Sequence, residues 1–125
     1  MSNRMKLSKN VSTQLESLSS KLDLRRNIIC RMAIGESLII RDSVKDYRPE
    51  DITGFEFNRY TLTGEYDLIF KALITQHEKK KINDRDYILI YLRNHIERGV
   101  KLLYKEYEKI NSPIDFISYL LKRNI

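Results

Sequence analysis

The chain opens with a stretch in which polar and apolar side chains alternate. The polar side consists of Arg4, Lys6 and Ser8, and the apolar side consists of Met5 and Leu7. A period of two residues is typical of a short β-strand with one buried face. Because the backbone groups of a lone strand need hydrogen-bond partners, we expect pairing with a strand from the acidic connection that follows the second helix, or with the same strand of another subunit.

Two helices are predicted next, because apolar residues then recur every three or four positions. The first begins near Lys9 with Ser8 as its N-cap and ends near Asp23. Its apolar face consists of Val11, Leu15, Leu18 and Leu22. The second spans about residues 25–38, and Gly35 weakens its interior. Its apolar stripe consists of Ile28, Ile29, Met32, Ala33, Ile34 and Leu38.

The helical pattern fails between residues 40 and 58, where Pro49 and Gly54 predict an irregular connection with turns. A third helix is expected afterwards, capped by Thr61 or Thr63 and ending in a solvated polar run at residues 78–81. Its apolar residues are Tyr66, Ile69, Phe70, Leu73 and Ile74.

Two further helices complete the prediction. A long helix begins at Asn83 or Asp84, and its apolar positions are Leu89, Leu92, Ile96, Val100, Leu103, Tyr107 and Ile110. In the last helix Ser112 is the N-cap, Pro113 takes the first helical position and Asp115 lies three residues beyond the cap. Its expected buried face is Phe116, Ile117, Leu120 and Leu121.

These elements predict one mainly α domain over residues 1–125, with about five helices and a short N-terminal β-strand. The order strand, helix, helix makes its N-terminal part ribbon-helix-helix-like. No apolar run approaches the roughly 20 residues that cross a bilayer. The chain also lacks the pattern of a secretory signal or a lipid anchor, so we expect a cytoplasmic protein without membrane contact.

Charge changes this picture, because the net charge of +6 is unevenly distributed. Residues 1–31 carry seven basic and two acidic groups, residues 32–58 three and six, and residues 59–125 thirteen and nine. A basic field attracts polyanions such as nucleic acid, although an acidic protein or an anionic membrane would satisfy it as well. The acidic middle argues against DNA contact by residues 36–56.

The search for catalytic groups finds little, so we expect no enzymatic activity and no cofactor. Cys30 lies among apolar residues and is interpreted as a buried, inert thiol in preference to a reactive one. His77 and His95 lack the spacing of a zinc motif, so no metal site is expected. For His95 a hydrogen bond to the backbone or a nearby acid is favoured over a role as general base. Gly99 indicates close helix packing.

The N-terminal unit carries the candidate DNA-binding residues. In ribbon-helix-helix proteins, strands pair across a dimer and enter the major groove, which would point Arg4 and Lys6 outward. Arg25 and Arg26 begin the second helix, where free backbone donors and the helix dipole attract phosphate. The full candidate set is Arg4, Lys6, Lys9, Lys21, Arg25 and Arg26. Each of them could instead be an ordinary solvated side chain.

Four segments together resemble the DNA sulfur modification protein DndE family. They are residues 3–9 (NRMKLSK), 27–33 (NIICRMA), 58–66 (NRYTLTGEY) and 95–100 (HIERGV). The likeness extends from residue 3 to about residue 103. It implies a small subunit of the bacterial machinery that replaces a non-bridging phosphate oxygen of DNA with sulfur.

The resemblance also implies a helical protein that forms tetramers and binds double-stranded DNA, with a preference for nicked duplexes. The sulfur chemistry would belong to the other subunits of the modification complex. It further implies a lysine that is important for DNA contact, for which Lys9 and Lys21 are the candidates.

Two other functions remain open at this point. One is a protein-interaction scaffold of the same complex, whose basic surface binds an acidic partner. The other is a ribbon-helix-helix transcription regulator, which requires base-specific contacts from Arg4 and Lys6.

Overall fold

The computed structural model describes residues 3–110 and 112–123, and it is mainly helical. In chain order the elements are β1 (Arg4–Lys6), α1 (Lys9–Leu22), α2 (Arg26–Ile39), β2 (Glu56–Asn58), α3 (Arg59–Thr63), a 3₁₀ turn (Gly64–Tyr66), α4 (Asp67–Glu78), α5 (Asp84–Asp86), a π-helical segment (Tyr87–Leu92), α6 (Arg93–Ile110) and α7 (Pro113–Arg123). The predicted fold class, helical with a short N-terminal strand, is confirmed. No described helix is long and apolar enough to span a bilayer.

β1 finds its hydrogen-bond partner within the chain. It pairs antiparallel with β2, the last part of the acidic connection. The register places Arg4 opposite Asn58, Met5 opposite Phe57 and Lys6 opposite Glu56. Met5 is buried between exposed neighbours, as the alternation predicts. The first of the two expected pairings, with a strand from the acidic connection, is therefore confirmed. The ribbon-helix-helix order of elements is present, but its two-stranded ribbon forms within one chain and not across a dimer.

Both ends of α1 are formed as predicted. The Ser8 side chain accepts a hydrogen bond from the Val11 backbone N–H at 3.2 Å, and Asp23 ends the helix in the left-handed conformation. The Ser8 backbone N–H donates to Glu97 Oε2 at 2.8 Å, and Tyr47 donates to the other carboxylate oxygen at 3.0 Å. Glu97 is fully buried in α6, so it joins the start of α1 to the connection and to the core.

The close approach of α2 and α6 depends on Gly99. A Cβ atom at this position would lie 1.8 Å from the Ala33 carbonyl oxygen, so any side chain would push the helices apart. This confirms the packing role predicted for the glycine. Core side chains around the two helices include Leu15, Leu18, Ile29, Ile34, Ile88, Leu92, Ile96 and Val100, all fully buried.

The predicted third helix is divided into two, and its predicted cap is wrong. Thr61 and Thr63 lie inside α3, which is capped instead by Asn58, whose side chain accepts from the backbone N–H groups of residues 60 and 61. The Thr63 hydroxyl donates to the Arg59 carbonyl oxygen and to Asp67, the first residue of α4. An earlier capping residue therefore starts the helix before the predicted position.

The long predicted helix begins where expected, with Asn83 accepting from the Asp86 N–H at 2.9 Å. However, the π-helical segment changes which side faces the core. Leu89, predicted as buried, is 40% exposed, whereas Tyr87 and Ile88 are fully buried. A π-helix places more residues in each turn than an α-helix, so spacing by three or four fails there.

The last helix also follows its predicted start, since the Asp115 N–H donates to Ser112 Oγ at 3.4 Å. Of its expected buried face, Phe116 is fully buried and Leu120 is partly buried. Ile117 and Leu121 are 38% and 65% exposed, which makes the prediction wrong for these two residues. The narrow contact of α7 with α6 does not cover its whole apolar face.

Candidate nucleic-acid interface

All six candidate DNA-binding residues are exposed and belong to the N-terminal unit. They divide among three places: Arg4 and Lys6 on β1, Lys9 and Lys21 near the two ends of α1, and Arg25 and Arg26 at the start of α2. The fold therefore presents each predicted side chain to solvent. Several of these basic side chains lie beside acidic residues that are distant from them in the sequence.

The basic side chains of β1 share their face of the ribbon with Glu56. Arg4 Nη1 lies 3.7 Å from Glu56 Oε2, and the two side chains are 63% and 43% exposed. Lys6 is the direct cross-strand neighbour of Glu56. Because both partners of the ion pair are solvated, the pair is weak, and it is open to exchange with a phosphate.

Arg26 is held more firmly than the other candidates. Its Nε donates to Glu16 Oε2 at 2.8 Å, and its guanidinium carbon lies 3.9 Å from the centre of the Phe55 ring. Glu16 and Phe55 also line a surface cleft of about 390 Å³ that begins at Lys9. Because the charges of Arg26 and Glu16 offset each other, Arg26 adds little to the positive field beside Lys9 while this pair is intact.

Lys21 and Arg25 lie at the junction of the first two helices. Lys21 Nζ is 5.3 Å from the centre of the Tyr107 ring, and Arg25 is the N-cap residue of α2. No side chain caps α2, and its first turn contains no acidic residue. Backbone donors at such a helix start attract anions, as the sequence predicts. Among the described residues, Lys6, Lys9, Lys21 and Arg25 form no side-chain ion pair.

Residues 58–66, one of the four segments that carry the family resemblance, contain a buried arginine that stabilises the fold. Arg59 is buried, and its Nε and Nη2 each donate to a carboxylate oxygen of Asp67 at 2.9 Å. Its third nitrogen lies 3.4 Å from Asp84, which also binds Lys71. Burial raises the pKa of Asp67, but the hydrogen bonds from Arg59 and Thr63 outweigh it and hold that pKa below its usual range.

The segment at residues 95–100 likewise holds helices together. Arg98 Nη2 donates to the Ser37 carbonyl oxygen at 2.7 Å, and its Nη1 donates to the Asp42 carbonyl oxygen at 2.8 Å. The first bond satisfies an acceptor in the last turn of α2, where a helix leaves carbonyl groups free, and the second reaches the connection that follows it. Close packing at Gly99 and the hydrogen bonds of Arg98 together hold α6 against α2.

Cys30 is fully buried in α2, as the sequence analysis predicts. Burial in an apolar environment disfavours the thiolate and raises the pKa of the thiol far above its ordinary value. A group that stays protonated at neutral pH is a poor nucleophile.

His95 is fully buried on α6, and its Nδ1 lies 2.8 Å from Ser37 Oγ. The expected partner was a backbone group or an acid, so the partner type is wrong while the bonded, buried character is confirmed. Burial lowers the pKa of His95 to about 3, assisted by the charges of His77 and Arg98. The fold also brings His77 and Glu78 beside it, a cluster that the separated sequence positions do not indicate.

The fold is similar to that of solved DndE proteins. One is a crystal structure of DndE from Escherichia coli B7A, described as involved in DNA phosphorothioation modification, with 23% identity, a TM-score of 0.65, and coverage of 82% of this chain and 96% of that chain. A second is a glycine-to-lysine mutant of DndE, described as involved in DNA phosphorothioation, with 23% identity, a TM-score of 0.64, and coverage of 82% and 97%. No curated protein sequence matches this chain.

A sequence identity of 23% shows a shared fold only, whereas a match to a family model also shows family membership. The family model described as DNA sulphur modification protein DndE matches residues 4–111, which is most of the chain and includes all six candidate basic residues. This chain therefore belongs to the DndE family.

Proposed function

We propose that this chain is a non-enzymatic, DNA-binding subunit of a bacterial DNA sulphur modification system. The observation that carries the proposal is a set of four exposed basic residues, Lys6, Lys9, Lys21 and Arg25, that have no acidic ion-pair partner within the described part of the chain. At about 1.5 Å per helical residue, Lys9 and Lys21 are about 18 Å apart along α1. That length equals about five steps of roughly 3.4 Å along one DNA strand, which is within the span of a bound duplex.

The chemistry of the described residues supports a binding role in preference to a catalytic one. The thiol of Cys30 is buried and protonated, and the best-aligned charged pair, Arg59 with Asp67, is buried as a structural link. We infer that the sulphur chemistry belongs to other subunits and that this chain contributes affinity for DNA. Binding through exposed lysines and arginines to phosphates explains why a basic surface suffices for this role.

A second surface supports contacts with other protein chains. On α4 and the preceding turn, Tyr66, Leu68, Ile69 and Leu73 are 45%, 80%, 57% and 43% exposed. At 3.6 residues per turn, Ile69 and Leu73 share one side of α4, and Leu68 lies about 100° from Ile69 on the adjoining exposed side. Exposed apolar side chains grouped in this way are typical of protein–protein interfaces. We propose that this face mediates self-association, with a tetramer as the expected state, or contact with another modification subunit. Self-association would present several basic surfaces to one duplex.

The proposal is tested by fluorescence-anisotropy titrations with matched nicked and intact duplexes at several salt concentrations. The site variant carries Lys6→Gln, Lys9→Gln, Lys21→Gln and Arg25→Gln. The control variant removes the same charge through Lys45→Gln, Lys81→Gln, Arg85→Gln and Lys105→Gln, all exposed positions without an ion pair among the described residues.

We expect salt-sensitive binding that is tighter for the nicked duplex. Each lost phosphate contact lowers the slope of log K against log salt by about 0.9, so the site variant should lose about 3 to 4 units of slope. The control variant should keep most of it. Equal losses in both variants would show a non-specific effect of net charge, and an absence of binding at low salt would exclude a DNA-binding role.

A protein-interaction scaffold is the second candidate function, and the exposed apolar face of α4 favours it. Under this alternative, Leu68→Glu abolishes assembly with the other modification subunits while DNA affinity is low and indifferent to nicks. Light scattering of the purified chain and of the Leu68→Glu variant separates self-association from binding to another subunit. A regulator of the ribbon-helix-helix type loses its main support, because β1 pairs with β2 of the same chain.

A further inference from the structure

Three potential metal ligands meet where the end of α4 packs against α6. His77, Glu78 and His95 each offer one ligand atom, and these atoms all lie within 4.8 Å of one another. The two imidazole rings are 5.0 Å apart at an interplanar angle of 83°. The side chains of His77 and Glu78 are 9% and 2% exposed, and His95 is fully buried. Bulk water therefore has little access to these three ligand atoms.

Each histidine uses one ring nitrogen for a bond within the protein. His77 Nε2 lies 2.7 Å from the Ile40 carbonyl oxygen, and because a carbonyl can only accept, this nitrogen carries a hydrogen. In a neutral ring, Nδ1 then presents its lone pair to Glu78 Oε2 at 3.3 Å. Two acceptors that face each other need a cation or a proton between them. A ring N–H bound to a backbone carbonyl is also typical of a metal-ligating histidine.

His95 matches His77 in the tautomer in which Nδ1 donates to Ser37 Oγ, because Nε2 then keeps a free lone pair. Its Nδ1 bonds with Ser37 Oγ at 2.8 Å, whereas its buried Nε2 has no hydrogen-bond partner in the described part of the chain. Buried polar atoms in native structures nearly always have a partner, so an unpaired one calls for a ligand. Ser37 Oγ also accepts from Arg98 Nε at 2.7 Å, which fixes the orientation of the serine and with it the ring.

The Glu78 carboxylate is held by hydrogen bonds, and a surface cleft leads to the neighbouring His77. Glu78 Oε1 accepts a hydrogen bond from the Ser43 hydroxyl, and Oε2 accepts one from the Val44 N–H at 3.4 Å. A surface cleft of about 360 Å³ reaches His77 from solvent. It is lined by Leu38, Arg41, Gln76, His77 and Lys79.

We propose that His77, Glu78 and His95 bind one divalent transition-metal ion of the Zn²⁺ class. Two imidazoles and one carboxylate are a ligand set that zinc prefers, with water as the fourth ligand. Tetrahedral bonds of about 2.0–2.2 Å place ligand atoms roughly 3.3–3.6 Å apart. Ligand atoms that lie up to 4.8 Å apart here must therefore approach each other when the ion binds, by about 1 Å or more for the widest pair. The ion would tie the end of α4 to α6 and to the loop at residues 40–44, so its role is to stabilise the packing of these elements.

The chain allows a direct test, because it contains only two histidines and both belong to the cluster. The full chain is treated with a chelator and titrated with Zn²⁺ by calorimetry, while NMR follows the imidazole ¹⁵N resonances. We expect one ion per chain, shifts at nitrogens of both histidines, a higher Tm, and the visible absorption of four-coordinate Co²⁺ when cobalt replaces zinc. An absence of binding, or ¹⁵N shifts at neither ring, would overturn the proposal.

Variants give an independent readout. Glu78→Gln keeps the size of the side chain and should weaken Zn²⁺ binding at least tenfold. The control, Glu108→Gln on the exposed side of α6, should bind as the natural chain does. If circular dichroism shows that Glu78→Gln is unfolded, His77→Gln replaces it. Unchanged affinity in a folded ligand variant would show that Zn²⁺ binds elsewhere, and would contradict the proposal.

Discussion

Replacing Arg59 with methionine should destabilise this protein strongly without touching the proposed DNA surface. The Arg59 side chain is 3% exposed and donates two hydrogen bonds of 2.9 Å to Asp67, whose side chain is 11% exposed. Its guanidinium carbon also lies 4.7 Å from the centre of the buried Tyr87 ring. Methionine fills similar space but leaves the Asp67 carboxylate with Thr63 as its remaining side-chain hydrogen-bond donor among the described residues.

Removing one partner of a buried ion pair typically costs about 3–5 kcal/mol, because the other charge stays buried without compensation. Total stabilities of small domains are about 5–15 kcal/mol, so much of the folding free energy should disappear. Urea unfolding followed by circular dichroism measures this loss. The control Arg85→Met, at an exposed position without an ion pair among the described residues, should change stability by no more than about 0.5 kcal/mol.

The pH dependence of the loss gives a stricter test. The pKa of Asp67 is lowered in the folded protein, so its stabilising effect is present above the unfolded pKa of about 3.9 and disappears as pH falls through the lower folded pKa. The stability difference between the natural chain and Arg59→Met should therefore be largest near neutral pH and shrink below about pH 4. A difference under about 1 kcal/mol at pH 7, or one that does not change with pH, would refute this reasoning.

Three further predictions follow from single contacts. Gly99→Ala should destabilise the fold by about 1–3 kcal/mol or more, because its Cβ would lie 1.8 Å from the Ala33 carbonyl oxygen. In contrast, the Cβ of Gly35→Ala in α2 meets nothing within 4 Å, and this variant should be more stable by up to about 1 kcal/mol. Urea unfolding of both variants measures the two changes in stability, and equal changes would contradict this prediction. Glu16→Gln should free Arg26 from its ion pair, tighten DNA binding at low salt and steepen the salt dependence of binding by up to about one phosphate contact. The control Glu108→Gln should change neither quantity. Anisotropy titrations measure both, and weaker binding by Glu16→Gln would count against a role of Arg26. Cys30 should react with a thiol reagent such as DTNB only as fast as the protein unfolds, and rapid labelling of the native chain would contradict its burial.

The parts of the fold that follow from local patterns are predictable from the sequence. Ser8 caps α1, Ser112 caps α7, and the alternation around Met5 forms β1, because each depends on residues only a few positions apart. The wrong predictions have a different origin. Leu89 is exposed because the π-helical segment shifts the helical phase, and α3 begins at Asn58 because an earlier residue caps it.

For the candidate site, too, the sequence predicts local features but not contacts between distant residues. Exposure of the six basic side chains follows from their polar positions in the pattern. Their acidic neighbours do not, because Glu16 reaches Arg26 and Glu56 reaches Arg4 only after the helices and the ribbon have packed. The cluster of His77, Glu78 and His95 is likewise assembled by tertiary contact between two helices, so no local spacing could indicate it.

Lysine footprinting of the complex with a nicked duplex tests the central claim most directly. The protein is acetylated with and without DNA at low salt, and mass spectrometry reports the modification of each lysine in one sample. We predict that DNA protects Lys6, Lys9 and Lys21, while Lys45 and Lys105 are modified equally in both states. Protection confined to Lys79, Lys80 and Lys81, or no protection at any lysine under conditions where the duplex is bound, would contradict the assignment of the DNA surface to the N-terminal unit.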